Sequence, residues 1–362
     1  MAAYLRVREQ DRDDELGIIR KDISLPGGFS FESPSRAVAR ASNETLNRVV
    51  VNEIPKKITD VTIGSLETGT STLRRDIKSK FIDNALNLAI LDLKFDDVPA
   101  LTGVRTIAEY LYAASDKVVM LPTVKPGLLK ERSPRPTYSD ARIENYLRMM
   151  SEIIEQIGAR NGKAIMGTVP LVPPKFSRRI LELYFSKGIE AFAIDAGTKD
   201  ILINEPDFRL ILAEINRYKP LNEVFVYACN LGYPQFETRY ARADDFLSIF
   251  AYVDVLGGTF KTRGGPIGAG QLKPPEPRAK IFLRERYAYE MSTFEEVGRK
   301  LGLILSRSEL QNHNQMVQLQ EANDVRSMVG QESMRQYISA KPAVDNRSLN
   351  DLMSIAKGVA KS

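Results

Sequence analysis

The residues of this chain that could do chemistry are carboxylates, cations and hydroxyls standing where apolar runs end. Asp92 follows LNLAIL, Asp195 closes IEAFAID, and Thr168 lies near the end of KAIMGTV. A carboxylate in such a place can serve as general acid or base, or cap the turn that follows it. Lys125 follows KVVMLPTV and Asn230 follows EVFVYAC. Asp254 lies inside YVDVLGG; pointing inward, it needs a partner such as Lys125 or Lys261, and a structural ion pair is the simpler expectation. The segment Gly257-Gly258-Thr259-Phe260-Lys261-Thr262-Arg263-Gly264-Gly265 sets glycines after a strand beside two cations. Glycine lets backbone N–H groups approach a ligand closely, and Lys261 and Arg263 add positive charge, so an anion is the expected occupant. The segment is not a P-loop, because G-x-x-x-x-G-K-[ST] is absent.

Other chemistries are excluded by what is missing. With one cysteine, Cys229, and one histidine, His313, no zinc site of four cysteines, two cysteines and two histidines, or three histidines can form. G-x-S-x-G and H-E-x-x-H are absent, and no acidic triplet suits magnesium. No metal and no cofactor is expected. Cys229 ends an apolar strand and reads as a buried core residue, and His313 sits in a polar helical stretch and reads as solvated.

The elements that must position these groups alternate. Apolar runs at 86–93, 117–124, 163–169, 189–195, 223–229 and 252–258 have strand length. Between them, 104–115, 138–160, 176–188, 206–218 and 243–251 have helical spacing, and the first strand follows a helical stretch over 71–86. Strands that are apolar throughout, alternating with helices, indicate a parallel sheet buried on both faces. No G-x-G-x-x-G joins a strand to a helix, which disfavours an open dinucleotide-binding sheet. The expected fold is α/β, a (β/α)8 TIM-like barrel over residues 71–280. It follows a β-rich segment over 1–70 (GIIRKDISL, FSFES, RVVVNEI) and precedes a helical extension over 281–362. Within that extension helices are expected around 284–303, 306–322, 323–339 and 347–359, with no strands. In such a barrel the usable side chains stand at the C-terminal strand ends, which is why the residues named above stand out.

The chain has 362 residues, 43% of them apolar and 27% charged, with a net charge of +5. That is a globular composition. The cationic excess is local: 261–280 carries five basic residues against Glu276, and 121–150 carries six against three acids. Two basic loops at one barrel face fit a phosphate-bearing partner, tRNA or DNA. No apolar run approaches a membrane span, the N-terminal residues are too charged for a secretory signal, and the single cysteine fits a reducing compartment. A cytoplasmic protein without membrane contact is expected.

The order of these pieces resembles the tRNA-guanine transglycosylase superfamily, the queuine- and archaeosine-related barrels that exchange guanine for a 7-deazaguanine. AIMGTVPLVPPKFSRRILELYFSKGIEAFAIDAG (164–197) is similar to that family's strand–helix–strand. DDFLSIFAYVDVLGGTFKTRGGPIG (244–268) is similar to its Val-Asp-x-Phe-Asp and Pro-Thr-Arg block, and FSFESPSRAV (29–38) to its segment before the barrel. On that resemblance Val253, Asp254, Thr262, Arg263 and Gly268 fall on matching positions. The family's nucleophilic aspartate falls on Gly257, its Gln-Gly-Gly signature on Thr168-Val169-Pro170, and its zinc ligands have no counterparts. Asp195 is the nearest substitute acid.

The resemblance implies a nucleobase- or nucleic-acid-binding barrel, either a transferase acting on nucleobases or a non-catalytic subunit beside a homologous catalytic one. The residues also support a barrel enzyme of another class. It would act on a phosphorylated or carboxylated small molecule, with Asp195 and Asp254 as acid–base candidates. Asp92, Lys125, Thr168, Gly257, Gly258, Lys261 and Arg263 would bind the substrate or its anionic group. A third expectation is an assembly protein whose C-terminal helices hold a partner or a second copy.

Overall fold

The computed structural model describes residues 5–39, 48–133, 135–199, 201–202, 204–232, 236, 238–261, 278–302, 306–331 and 334–361. Every residue of the strands Leu86–Leu93, Ala191–Asp195 and Phe225–Cys229 is buried, as unbroken apolar runs require. Six strands pair in parallel in the order Ser35–Arg36, Val255–Leu256, Phe225–Cys229, Ala191–Asp195, Ala164–Pro170, Val118–Met120. Val51–Ile58, Leu86–Leu93 and Thr123–Val124 form a second parallel sheet. The stretch 118–124 contributes to both sheets, and a parallel bridge between Val38 and Asn52 links them elsewhere. The parallel pairing therefore begins at Ser35, inside the β-rich segment of the first 70 residues.

Residues two apart on a strand share a face. On one face Leu86, Leu88, Ile90, Met166, Ala191, Ala193, Phe225, Tyr227 and Val255 make an inner cluster. The intervening Leu91, Leu93, Phe192, Ile194, Val226 and Ala228 join the larger core with the helices. Leu101–Ala114, Asp140–Gly158, Pro174–Ser186 and Glu205–Tyr218 connect successive strands. Asp140–Gly158 shows why they are helices: Ile143, Tyr146, Met150, Ile153, Ile154 and Ile157 fall on its buried stripe. Pro174–Ser186 stops where Gly188 takes φ +68°, a left-handed conformation glycine adopts without strain.

An antiparallel sheet of Arg6–Asp13, Ile18–Ser24 and Ser30–Ser33 lies at the N-terminal ends of the parallel strands. Its Ile23, Leu25 and Phe31 enter the inner cluster, Phe31 edge-on to Phe225 at 5.8 Å. Lys21 of the same sheet is buried and bonds to Asp254 Oδ2 at 2.8 Å and to the Val224 carbonyl at 3.0 Å. The Asp254 carboxylate also accepts from Ser33 Oγ (2.9 Å) and from Val226 N–H (2.8 Å). Asp254 is thus tied where Phe225–Cys229 begins, at the opposite end from Asp195. Its partner is Lys21, neither Lys125 nor Lys261, and it is a structural ion pair rather than a catalytic acid.

Several local expectations are corrected. The helical stretch expected over 71–86 is cut to Leu73–Lys78, because Asn87 bonds both the N–H and the carbonyl of Ile82 and Asn84 turns the chain at φ +60°. The helix expected near 284–303 is instead an antiparallel pair, Arg278–Leu283 with Ala288–Thr293, followed by Phe294–Leu301. A third short strand, Tyr240–Arg242, pairs with Ala288–Thr293. Of the helices expected over 306–322 and 323–339, the first runs on as Arg307–Met328, starting with a capping box between Ser306 and Glu309, and the second is shortened to Met334–Ser339. Asn346–Ala360 packs on Glu205–Tyr218, with Arg209 Nη1 2.8 Å from Ser354 Oγ. No helix among the described residues is long and apolar enough to cross a membrane.

Removing one partner of a buried pair strands the other charge, at a cost of about 3–5 kcal/mol. Lys21→Met is expected to lower unfolding stability by about that amount in urea denaturation. The same change at Lys125, whose partner Asp96 is solvent-exposed, should have little effect. Equal midpoints for the two variants would contradict the structural role of the pair.

Candidate functional site

At the C-terminal strand ends a single ammonium gathers two carboxylates. Lys261 Nζ bonds to Asp195 Oδ2 and to the Val124 carbonyl (2.9 Å), and lies 4.0 Å from Asp92 Oδ1. All three side chains are buried. Asp195 ends its strand level with Cys229. Its other oxygen accepts from Gly197 N–H (3.0 Å) and Asn230 Nδ2 (2.9 Å). Asn230 adopts φ +52°, which asparagine tolerates better than most residues. From there its Oδ1 receives the N–H groups of Phe260 and Lys261, at 3.1 and 3.0 Å. This one amide therefore fixes the acid and the backbone of the lysine together. Asp92 also accepts from Thr123 Oγ1 (3.2 Å) and lies 2.5 Å from Lys94 Nζ.

A third carboxylate, Glu53, was not singled out in the sequence. It accepts from Gly258 N–H at 2.9 Å on both oxygens and from the Tyr227 hydroxyl on one. Burial raises the Glu53 carboxyl above the ordinary glutamate range, opposed by Arg36 and these donors. Burial likewise pushes the Tyr227 phenol and the Cys229 thiol well up. Gly257 explains the local backbone: a Cβ there would collide with the Tyr227 hydroxyl and Glu53 Oε1, and at Gly258 it would come within 2.8 Å of Glu53 Oε2. Glycine is required because the carboxylate occupies the space of a side chain.

A cavity of about 680 Å³ opens here, lined by Glu53, Asp92, Lys56, Lys57, Gly258 and Gln311 among others. Asp195 and Lys261 are not among the residues that line it; Lys261 connects Asp195 to Asp92 behind the lining. Thr168 is buried, its hydroxyl committed to the Leu121 carbonyl. Lys125 is on the surface, 2.6 Å from Asp96. Of the residues named from the sequence, Asp92, Asp195, Gly257, Gly258 and Lys261 come together. Asp254, Lys125 and Thr168 do not join the cavity, and Arg263 lies outside the described residues. Cys229 is fully buried, as expected. His313 is half-buried rather than solvated, and burial lowers its pKa. Among the described residues no group of His, Cys, Asp and Glu could hold a metal ion.

Four of the six cations of the stretch 121–150 have acidic partners among the described residues. Lys125 meets Asp96, Arg132 and Arg142 both meet Asp97, and Arg148 lies 3.6 Å from Glu144.

No family model matches the chain, and no curated protein matches it. Among solved structures, the chain is similar to a D-allulose 3-epimerase from Methylomonas sp., at 12% identity and TM-score 0.40, over 80% of this chain and 99% of that one. An L-ribulose 3-epimerase matches at 12% identity and TM-score 0.39, over 82% and 98%. A putative fructose-1,6-biphosphate aldolase from Coccidioides immitis matches at 13% identity and TM-score 0.36, over 82% and 89%. At this level of likeness, the site is read from its own geometry.

Gly257→Ala is expected to displace Glu53 and Tyr227 and to destabilise the fold by about 1–3 kcal/mol, the usual cost of overpacking. Thermal or urea unfolding checks this, and an unchanged midpoint would show that the carboxylate is not held against Gly257.

Proposed function

We propose that the chain is a (β/α)8-barrel enzyme that transfers protons on a small polar molecule carrying a phosphate or carboxylate. For the fold, the shared stretch 118–124 and the Val38–Asn52 bridge support reading the two parallel sheets as one ring of eight strands. For the function, one observation carries the reading: Glu53 and Asp92 line one cavity at the C-terminal strand ends in contrasting surroundings. Glu53 is buried, raised, and bonded by neutral donors, which suits a group that gives up a proton. Asp92 sits near the ammonium groups of both Lys94 and Lys261, which suits a carboxylate held in place as the second group. Lys56 and Lys57 at the same cavity offer positive charge to an anionic substrate.

The test is solvent-proton exchange. Phosphorylated and carboxylated hydroxycarbonyl compounds, incubated with the protein in deuterated water, are expected to gain deuterium at carbon, read by NMR. Glu53→Gln and Asp92→Asn should each reduce exchange by about 100-fold or more. Asp195→Asn should reduce it less, by loosening Lys261. With Glu53 as the acid, the rate falls as pH rises through its raised pKa, and Glu53→Gln removes that limb. Exchange that persists in both cavity variants would end this reading.

A second reading keeps the transglycosylase resemblance, supported by a specific observation. The Glu53 carboxylate fills the space of a side chain at position 257, where the resemblance implies the family's acid. A carboxylate delivered from another strand would then serve a nucleobase. Calorimetric titration with guanine and 7-deazaguanine tests it, and absence of binding to either removes it. Lys125, Arg132 and Arg142 of the 121–150 stretch already have acidic partners, which leaves fewer cations there for a long nucleic-acid partner. The C-terminal helices cover this chain's own body, which gives the assembly reading no specific support.

A further inference from the structure

A second cavity, of about 520 Å³, adjoins the first and shares Gly258, Thr259, Gln311 and Gln315 with it. Its charged lining is Arg36, Arg278, Lys280 and a single acid, Asp245. Arg36 is only 8% exposed. Its guanidinium donates to Gln318 Oε1 (3.0 Å) and to the carbonyls of Ala37 (3.0 Å) and Leu256 (2.7 Å), all of them neutral. Lys280 Nζ stands 4.0 Å from the centre of the Tyr289 ring. Among the described residues neither cation has a carboxylate within ion-pair distance. Asp245 is engaged by the Tyr289 hydroxyl at 2.6 Å.

A buried charge is costly unless an opposite charge or a full set of hydrogen bonds compensates it. Among the described residues, Arg278, partly buried Lys280 and buried Arg36 line this cavity with one acid, Asp245, and Glu53 of the adjoining cavity acts on Arg36 through space, so cations outnumber acids on this wall. A guanidinium and an ammonium facing one space are suited to the oxygens of a phosphate or carboxylate. The long helix Arg307–Met328 supplies the rest of the wall. Gln311, Asn314, Gln315 and Gln318 fall on one face, three and four residues apart. Asn314 bonds the Phe282 N–H (2.8 Å) and the Lys280 carbonyl (2.6 Å), and so sets the Lys280 backbone, while Gln318 holds Arg36. Gln311 and Gln315 border both cavities.

We propose that the second cavity is an anion subsite in which Arg36 and Lys280 bind a phosphate or carboxylate group, with Gln311 and Gln315 along the path to Glu53 and Asp92. The anion site stands on its own geometry. That the anion belongs to the molecule processed at Glu53 and Asp92 rests on the function proposed above. It names the substrate as one long enough to reach both cavities, charged at one end and polar and protonatable at the other.

The test is calorimetric titration of the full chain with inorganic phosphate and, separately, with succinate. At least one should bind saturably, and the stronger of the two identifies the group. Lys280→Gln should weaken that binding about tenfold or more, Lys280→Arg should retain most of it, and Lys125→Gln should leave it unchanged. Should Lys280→Gln not fold, judged by circular dichroism, Arg278→Gln at the cavity rim is expected to weaken binding several-fold. Failure of wild type to bind either anion at millimolar concentration, or equal binding by Lys280→Gln and Lys125→Gln, overturns the proposal. Glu53→Gln and Asp92→Asn should keep anion binding, so loss of the catalytic reading leaves this result standing, and the reverse also holds.

Discussion

The arrangement at the strand ends depends on the charge of Lys261. Its ammonium is out of water and is balanced by Asp195, by the Val124 carbonyl and, at longer range, by Asp92. Those partners come from three different strand ends, so one buried cation fixes their spacing. A neutral residue would leave buried Asp195 without a cation and Asp92 with Lys94 alone, which low-dielectric surroundings make costly. Asn230 makes the hub directional: its two amide atoms bond the acid on one side and the lysine backbone on the other.

Around that hub the acids separate by environment. Asp195 is enclosed by donors and does not line the cavity that Glu53 and Asp92 share. Asp92 faces the cavity with cations on both sides, and Glu53 faces it with neutral donors and a phenol. Three carboxylates of similar intrinsic acidity thus stand in distinct surroundings. Asp254 makes the contrast clear, since an equally buried acid at the other end of the strands is fully used in holding the N-terminal sheet.

Much of the framework was legible in the sequence. The strands over 86–93, 189–195 and 223–229 were visible as apolar runs because both faces are buried, and Asp92, Asp195 and Lys261 stood out as polar groups at the ends of such runs or just after one. Glu53 was not, although a charged residue inside RVVVNEI was a signal: an acid amid β-branched apolar neighbours needs a reason to be buried. Its partners, Tyr227 and Gly258, are distant in sequence, so no local pattern announces them. The hairpin at 278–293 was missed because its turn, around Arg284–Tyr287, lacks glycine, proline and asparagine, and Tyr287 takes the left-handed conformation instead. Asp254 was correctly sensed as a paired acid, but Lys21 lies 233 residues away and in another sheet.

The pairing of Ser35–Arg36 with Val255–Leu256 has a bearing on how the chain is made. Ser35 and Arg36 are made well before the residues beyond position 250 that they pair with. The wall formed by Gln311 to Gln318 arrives later still. Until then the edge at Ser35 and the apolar inner faces are open to wrong partners, a hazard of slow, long-range β pairing. Nascent chains stalled before residue 250 should therefore depend more heavily on chaperones than the finished protein does.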